Sequence, residues 1–248
     1  MSNLQQTLTI GDSDGNIKKE FVIERTPRHK YSYHVTAGAV EGEKSQEANM
    51  PSVTTIGGYI GADSFGAGVG WAQSVIRKNN GDPDSPKAAA EKSMQLGTAL
   101  HDAIDRFVQY REMPGELDDA FMSWHREIGS QHTWVASELL VVDPFIEIGG
   151  TIDAISVENG SYAIWDWKTK DRNAKGTFHK DPKDQAQIAA YARALRRLGH
   201  QFAPQLGYIC YIMRDGSGLE IIKVDLLQAE RLFDLGYGMY HALKGIKS

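Results

Sequence analysis

Apolar residues fall into two different spacings along this chain. From Leu8 to Val35, short β-prone runs (8–10, 20–23 and 31–35) are separated by the turn-rich Gly11-Asp12-Ser13-Asp14-Gly15-Asn16 and by Pro27, which predicts one or two hairpins. Residues 37–49 are polar and glycine-containing, a surface loop. Pro51 then opens a Ser/Thr-rich stretch ending at Ile56, residues 57–70 are glycine-rich, and 79–86 form a second turn-rich linker. After Ser93 the period lengthens. Met94, Leu96, Leu100, Ala103, Ile104, Phe107 and Val108 recur at helical spacing, as do Leu117, Phe121, Trp124 and Ile128, predicting two amphipathic helices. Three β-prone runs (134–142, 145–157 and 162–167) follow with no helix between them, the last two joined by the hairpin signal Glu158-Asn159-Gly160-Ser161. A helix over 182–198 stops at Gly199, two strands cover 205–213 and 219–224, and a final helix covers 226–243. This order predicts an α/β fold with a mixed central sheet flanked by helices and with hairpins and helices added at the N-terminus.

Composition adds few constraints. With 248 residues, 41% hydrophobic and 24% charged, the chain can bury one substantial core, and one compact unit is expected: residues 1–92 as N-terminal additions and 93–248 as the core. Lys plus Arg number 27 against 32 Asp plus Glu, a net charge of −5, so any nucleic-acid surface must be a local patch. Cys210 is the only cysteine, which excludes an internal disulfide, a four-cysteine zinc site and a cysteine-held Fe–S cluster, and points to a reducing compartment. The first ten residues lack a basic-then-apolar leader, and no apolar run reaches about 18 residues. A soluble, intracellular protein with no membrane partner is the expectation.

The candidate chemistry sits on the three-strand meander. Asp166 and Lys168 are two residues apart, so their side chains share one strand face while Trp165 and Trp167 take the other. A turn centred on Asn159-Gly160 pairs Ile155 with Ile164 and so sets Asp153 beside Asp166. Facing acids on a half-exposed sheet are commonly satisfied by water. Here Gly149, Gly150, Ile152, Ala154 and Ile155 around one acid, and Ala163, Ile164, Trp165 and Trp167 around the other, predict burial, where two carboxylates repel unless a cation lies between them. Carboxylate oxygens without cysteine select Mg²⁺ or Mn²⁺ over Zn²⁺. A cation so held, with a lysine beside it, suits phosphodiester hydrolysis.

Five segments in order, Gly97-Thr98-Ala99-Leu100-His101, Glu138, Gly150-Thr151-Ile152-Asp153, Asp166-Trp167-Lys168 and Gln187-Ile188-Ala189-Ala190-Tyr191, resemble the RecB-type branch of the PD-(D/E)xK nuclease superfamily across residues 94–200. The resemblance implies that His101, Asp153, Asp166 and the Trp167 carbonyl ligate metal. It implies that Lys168 positions water, that Glu138 is the first-strand acid with Glu147 as a competitor, and that Gln187 and Tyr191 contact DNA or support the lysine. Pro51-Ser52-Val53-Thr54-Thr55-Ile56 resembles the P-S-V-T segment of mitochondrial genome maintenance exonucleases and similar phage-encoded exonucleases, which prefer single-stranded DNA with free ends. Ser52 and Thr54 there either bind phosphate or form a turn or helix cap. The lone cysteine departs from relatives that carry an Fe–S cluster.

Charge is locally inverted near the site. Between residues 166 and 197 nine basic residues face four acidic ones, an excess of five. Lys170, Arg172 and Lys175, directly after the metal strand, are the expected DNA contacts, and Arg193, Arg196 and Arg197 fit a solvated helix face. Tyr59, Phe65 and Trp71 either stack on bases or cover a core, and His125 and His132 read as exposed. The run 12–16 imitates a calcium loop but lacks its glycine and its final glutamate. The expected function is a Mg²⁺- or Mn²⁺-dependent exonuclease on single-stranded DNA ends, with a catalytically silent DNA-end-binding module or a structure-specific endonuclease as alternatives.

Overall fold

The computed structural model describes residues 3–11, 17–37, 46–61, 67–115, 118–172 and 176–247. The turn over 12–16, Phe65, Leu117 and Lys175 lie outside the described residues. The N-terminal part is a four-stranded antiparallel sheet in chain order, β1 (Leu4–Gly11), β2 (Ile17–Arg25), β3 (Tyr31–Ala37) and β4 (Gln46–Met50). β4 falls where the polar pattern predicts only a loop. It pairs along the β3 edge at Tyr31 and Tyr33, and an edge pairing is held by backbone groups without an apolar alternation.

Three helices follow: α1 (Val53–Gly57), α2 (Ala67–Lys78) and the long α3 (Ser85–Tyr110). α2 forms in spite of Gly68 and Gly70, and α3 starts nine residues ahead of Met94, where the apolar periodicity begins. Pro86 sits in its first turn, where the missing N–H has no partner to lose. α4 (Asp119–Trp124) is capped by the Asp118 carboxylate, which accepts the Phe121 N–H at 3.0 Å, and it runs on into a π-helical turn over His125–Gly129.

The second sheet is mixed and five-stranded, in the order β5 (Thr133–Asp143), β6 (Ile148–Glu158), β7 (Ser161–Lys170), β8 (Leu206–Met213) and β9 (Leu219–Lys223). All pairs are antiparallel except β7 with β8, whose connection passes through α5 (Pro182–Leu198). The β6–β7 hairpin has the expected register, Ile155 opposite Ile164, because Asn159 (φ 49°) and Gly160 (φ 79°) both take the left-handed backbone of a two-residue turn. α5 runs between the Asp181 cap and left-handed Gly199, and α6 (Leu226–Lys247) ends the described chain.

The five-stranded sheet separates two cores. On one face Trp165, Trp167, Ala154 and Cys210 pack with α3 and α4 around Phe107, Phe121, Trp124 and Trp134. On the other, Ile155, Ile164 and Ile209 pack with α5 and with Phe233 of α6, and this core continues into Leu8, Phe21 and Ile23 of the N-terminal sheet. Strand alternation thus sends the two tryptophans beside Asp166 to the α3–α4 side, as the two-residue period requires. No helix among the described residues is long and apolar enough to cross a membrane.

Candidate functional site

The site forms where two strands part. The β6–β7 ladder ends at Ala154 opposite Trp165, one residue short of Asp153 and Asp166. Two backbone groups of Trp167 find side-chain partners there. Its N–H donates to Asp153 Oδ2 at 2.7 Å, and its carbonyl lies 3.0 Å from His101 Nε2 on α3. His101 Nδ1 is 3.7 Å from the same Asp153 oxygen. Glu138 enters from β5. It lies between the pairs Ser137–Ala154 and Leu139–Ile152, hence across from Asp153, and its own backbone is left-handed, with φ 46°.

His101, Glu138 and Asp153 each offer a ligand atom, all within 4.8 Å of one another. An octahedral cation with bonds of about 2.1 Å sets neighbouring ligands about 3.0 Å apart and opposite ones about 4.2 Å apart, so the cluster needs only slight contraction. Its electrostatics point the same way. Burial pushes the Glu138 carboxyl up to about 7, with Asp153 adding to the rise and Arg25 opposing it, which is the strain a cation would relieve. One imidazole, two carboxylates and a nearby backbone carbonyl therefore fit a divalent metal.

Asp166 is outside that cluster. It is 2% exposed and faces Lys168, whose ammonium is 2.5 Å from Asp166 Oδ2, while Gln187 Nε2 donates to Asp166 Oδ1 at 2.8 Å. Burial alone would lower the Lys168 pKa, but Asp166, Asp184 and Asp153 more than offset it and hold the ammonium charged above its ordinary value. Burial pushes Asp166 up while that ammonium pulls it back, and a 2.5 Å contact describes an ion pair. Gln187 spans the pair: its Oε1 lies 3.5 Å from Lys168 Nζ, and its amide also reaches Tyr191 OH at 3.3 Å. Gln187 and Tyr191 are 8% and 4% exposed, so both back the lysine from α5. Tyr191 fits because Gly150 has no side chain: a Cβ there would meet the ring at 2.1 Å.

The other expected residues are spread more widely. Ser52 is buried as the N-cap of α1, accepting the Thr55 N–H at 3.0 Å and bonding the Thr54 and Thr55 hydroxyls at 2.8 Å each, while Thr54 is exposed. Of the two helix-cap and phosphate readings, that geometry is a cap. Lys170 lies over the Tyr211 ring at 5.4 Å, and exposed Arg172 donates to the Gly176 carbonyl at 2.9 Å. Arg193, expected on a solvated face, is buried, with Asp234 at 2.6 Å and Asp143 at 4.0 Å. Arg197 also reaches Asp143, at 3.0 Å, and Arg196 pairs with Glu230. Those acids lie outside residues 166–197, so part of the local basic excess serves packing of α5. His125 and His132 are half-buried rather than exposed, with ring contacts to Phe107 at 4.7 Å and to Trp165 at 4.9 Å. Glu147 is exposed in the β5–β6 connection and takes no place in the cluster.

Two further residues border the site. Arg25, at the end of β2, donates to Thr151 Oγ1 at 2.9 Å and lies 3.9 Å from Glu138 Oε2. Buried Asp184, in the first turn of α5, accepts from Tyr211 OH at 3.1 Å and acts electrostatically on Lys168. Only the latter could have been suspected, one helical turn before Gln187.

Residues 116–235, just under half of the chain, match the family model of the PD-(D/E)XK nuclease superfamily. That stretch spans β5 to β9 and α5, and a five-stranded mixed sheet flanked by helices is consistent with the fold of this superfamily; His101 and Arg25 lie outside the matched stretch. None of the curated proteins matches the chain. A solved structure titled "Crystal structure of SSO0001" is similar over 79% of this chain and 79% of its own, at 17% identity and a TM-score of 0.39, a likeness too loose to bear on fold or function.

Proposed function

We propose that the protein is a divalent-metal-dependent exonuclease of the RecB type, hydrolysing phosphodiester bonds at single-stranded DNA ends. The observation that carries this reading is the convergence of His101, Glu138 and Asp153 within 4.8 Å beside the Lys168–Asp166–Gln187 group. When bound, Mg²⁺ or Mn²⁺ would polarise a phosphate oxygen and ease loss of a proton from water. Asp153, Glu138, His101 and the Trp167 carbonyl would hold the cation, with Asp166 close by on β7. Lys168, kept charged by its acidic neighbours, is a donor rather than a base: it orients water and offsets negative charge that develops on phosphate. Gln187 and Tyr191 fix the lysine. Thr54, Lys170 and Arg172 flank the DNA strand, Lys175 is a further DNA contact on the sequence reading alone, and residues 1–92 shape its approach.

The test is a time course on linear strands labelled at the 5′ or the 3′ end, beside a closed single-stranded circle, with and without chelator. Mg²⁺- or Mn²⁺-dependent release of label from linear strands alone is expected, and Asp153→Ala and Lys168→Ala should each lower the rate by at least about 10²-fold with the melting transition retained. Full activity of both variants, or indifference to chelator, refutes metal-dependent hydrolysis at this site. Cut circles would replace the exonuclease with an endonuclease.

A further inference from the structure

We propose that the β2–β3 hairpin is a phosphate-gripping arm of the substrate groove, with Arg25 contacting the strand beside the metal cluster and Arg28 and Lys30 holding phosphates further along it. The proposal rests on the nuclease reading and extends it to residues before the matched stretch.

Three observations converge on this arm. First, Arg25 connects the N-terminal sheet to the site. Both its contact with Thr151 and its approach to Glu138 go through Nη1, and a guanidinium carries five N–H donors, so one edge can stay anchored while others meet an anion. Its strand partner Tyr31 is anchored too, with its hydroxyl 3.2 Å from Thr151 Oγ1 and its ring against Gly149. Second, the tip is built rather than loose. The Thr26 N–H donates to the Lys30 carbonyl at 2.9 Å, the His29 N–H to the Thr26 carbonyl at 2.9 Å, and the Lys30 N–H to Thr26 Oγ1 at 3.1 Å, around Pro27 and a left-handed His29. Third, the chemistry is one-sided. From Arg25 to Ala37 the chain has no Asp or Glu, in a protein of net charge −5, and exposed Arg28 with half-exposed Lys30 line an open concavity of about 460 Å³ together with Thr26 and Pro27. The turn bonds would close any hairpin, but the acid-free run and the guanidinium beside the cluster go beyond that; a polyanion passing the cluster needs a cationic surface held at fixed distance from it.

The experiment pairs Arg28→Ala/Lys30→Ala, at the exposed tip where folding is insensitive, with Arg25→Ala and Arg25→Lys. Anisotropy of a labelled single-stranded oligonucleotide in EDTA gives affinity across a salt series. Cleavage gives kcat/KM over the same series with metal, so that a grip formed only in the loaded protein is also measured. Each lost phosphate contact should lower the salt slope by about 0.7, hence about 1.4 for the tip variant, with affinity down roughly tenfold. Arg25→Ala should lower kcat by about 10²-fold with a smaller effect on binding, Arg25→Lys should recover part of it, and added guanidinium ion should partly rescue Arg25→Ala. Wild-type affinity, salt slope and kcat/KM in the tip variant overturn the arm while leaving the nuclease reading intact. Absence of cleavage by the unmodified protein overturns that reading instead.

Discussion

Gly150→Ala probes the site without touching a charged group. The added methyl would lie 2.1 Å from Tyr191 Cε1, 2.8 Å from Cζ and 2.9 Å from the hydroxyl. Ordinary contact begins near 3.4 Å, so the ring must retreat by about 1.3 Å, the difference between 3.4 and 2.1 Å. That carries the Tyr191 hydroxyl beyond hydrogen-bond reach of Gln187, now 3.3 Å away, and loosens the amide that spans Asp166 and Lys168. Replacing a strand glycine by alanine ordinarily gains about 0.5–1 kcal/mol. Overpacking costs about 1–3 kcal/mol, so the net change is destabilising. For a chain of this size each kcal/mol moves Tm by about 2–4 °C, so a fall of several degrees is expected. A displacement of about 1 Å at a positioning group costs about 10²-fold in rate, far more than the stability change alone would at working temperature. Thermal melts and cleavage rates of Gly150→Ala, Tyr191→Leu and the double variant check both numbers. With the ring gone the methyl has room, so a coupling of at least about 1 kcal/mol between the two substitutions is expected. If Gly150→Ala costs the same in either background, or melts and cleaves as the unmodified protein does, the steric argument fails.

Three further outcomes are expected. Burial pushes the His200 imidazole down to about 4, and its Nδ1 accepts the Phe202 N–H at 3.2 Å. Because the folded pKa lies below the unfolded value of 6.5, stability is complete above pH 6.5 and declines as pH falls toward 4, by up to about 3 kcal/mol; urea melts at pH 7 and 5 should show this loss, and His200→Gln should flatten it. Arg193→Met strips buried Asp143 of one cation and Asp234 of its partner, and should cost about 3 kcal/mol by denaturant titration, the low end for a broken buried pair because Arg197 remains. Trp124→Ala, at a fully buried ring among Phe107, Phe121, Trp134 and Trp167, should cost about 3–5 kcal/mol, and Trp124→Phe clearly less by the same titration.

What could be read from the sequence was local. The β5–β7 meander emerges within three residues of the expected bounds and α5 on them, because Asn159-Gly160, the Asp181 cap and Gly199 are short-range signals that tertiary packing does not oppose. Asp153, Asp166 and Lys168 belong to that one unit, so their neighbourhood followed from strand register and the two-residue period, whereas Gln187 came from the family resemblance. β4 and α2 did not follow, since an edge strand needs no alternation and a glycine-containing helix draws on its packing. The contact of Arg25 with Thr151 spans 126 positions, which no periodicity can register. Arg193 was misread because its carboxylate partners come from β5 and α6.

The left-handed backbone of Glu138 bears on how this chain can be engineered. A side-chain-bearing residue in that conformation costs about 1–3 kcal/mol that glycine would not. Selecting variants for heat resistance alone should therefore enrich Glu138→Gly, trading away the carboxylate opposite Asp153 for robustness. Durability and the competence of the cluster are set against each other at a single position, so any stabilisation campaign must hold position 138 fixed.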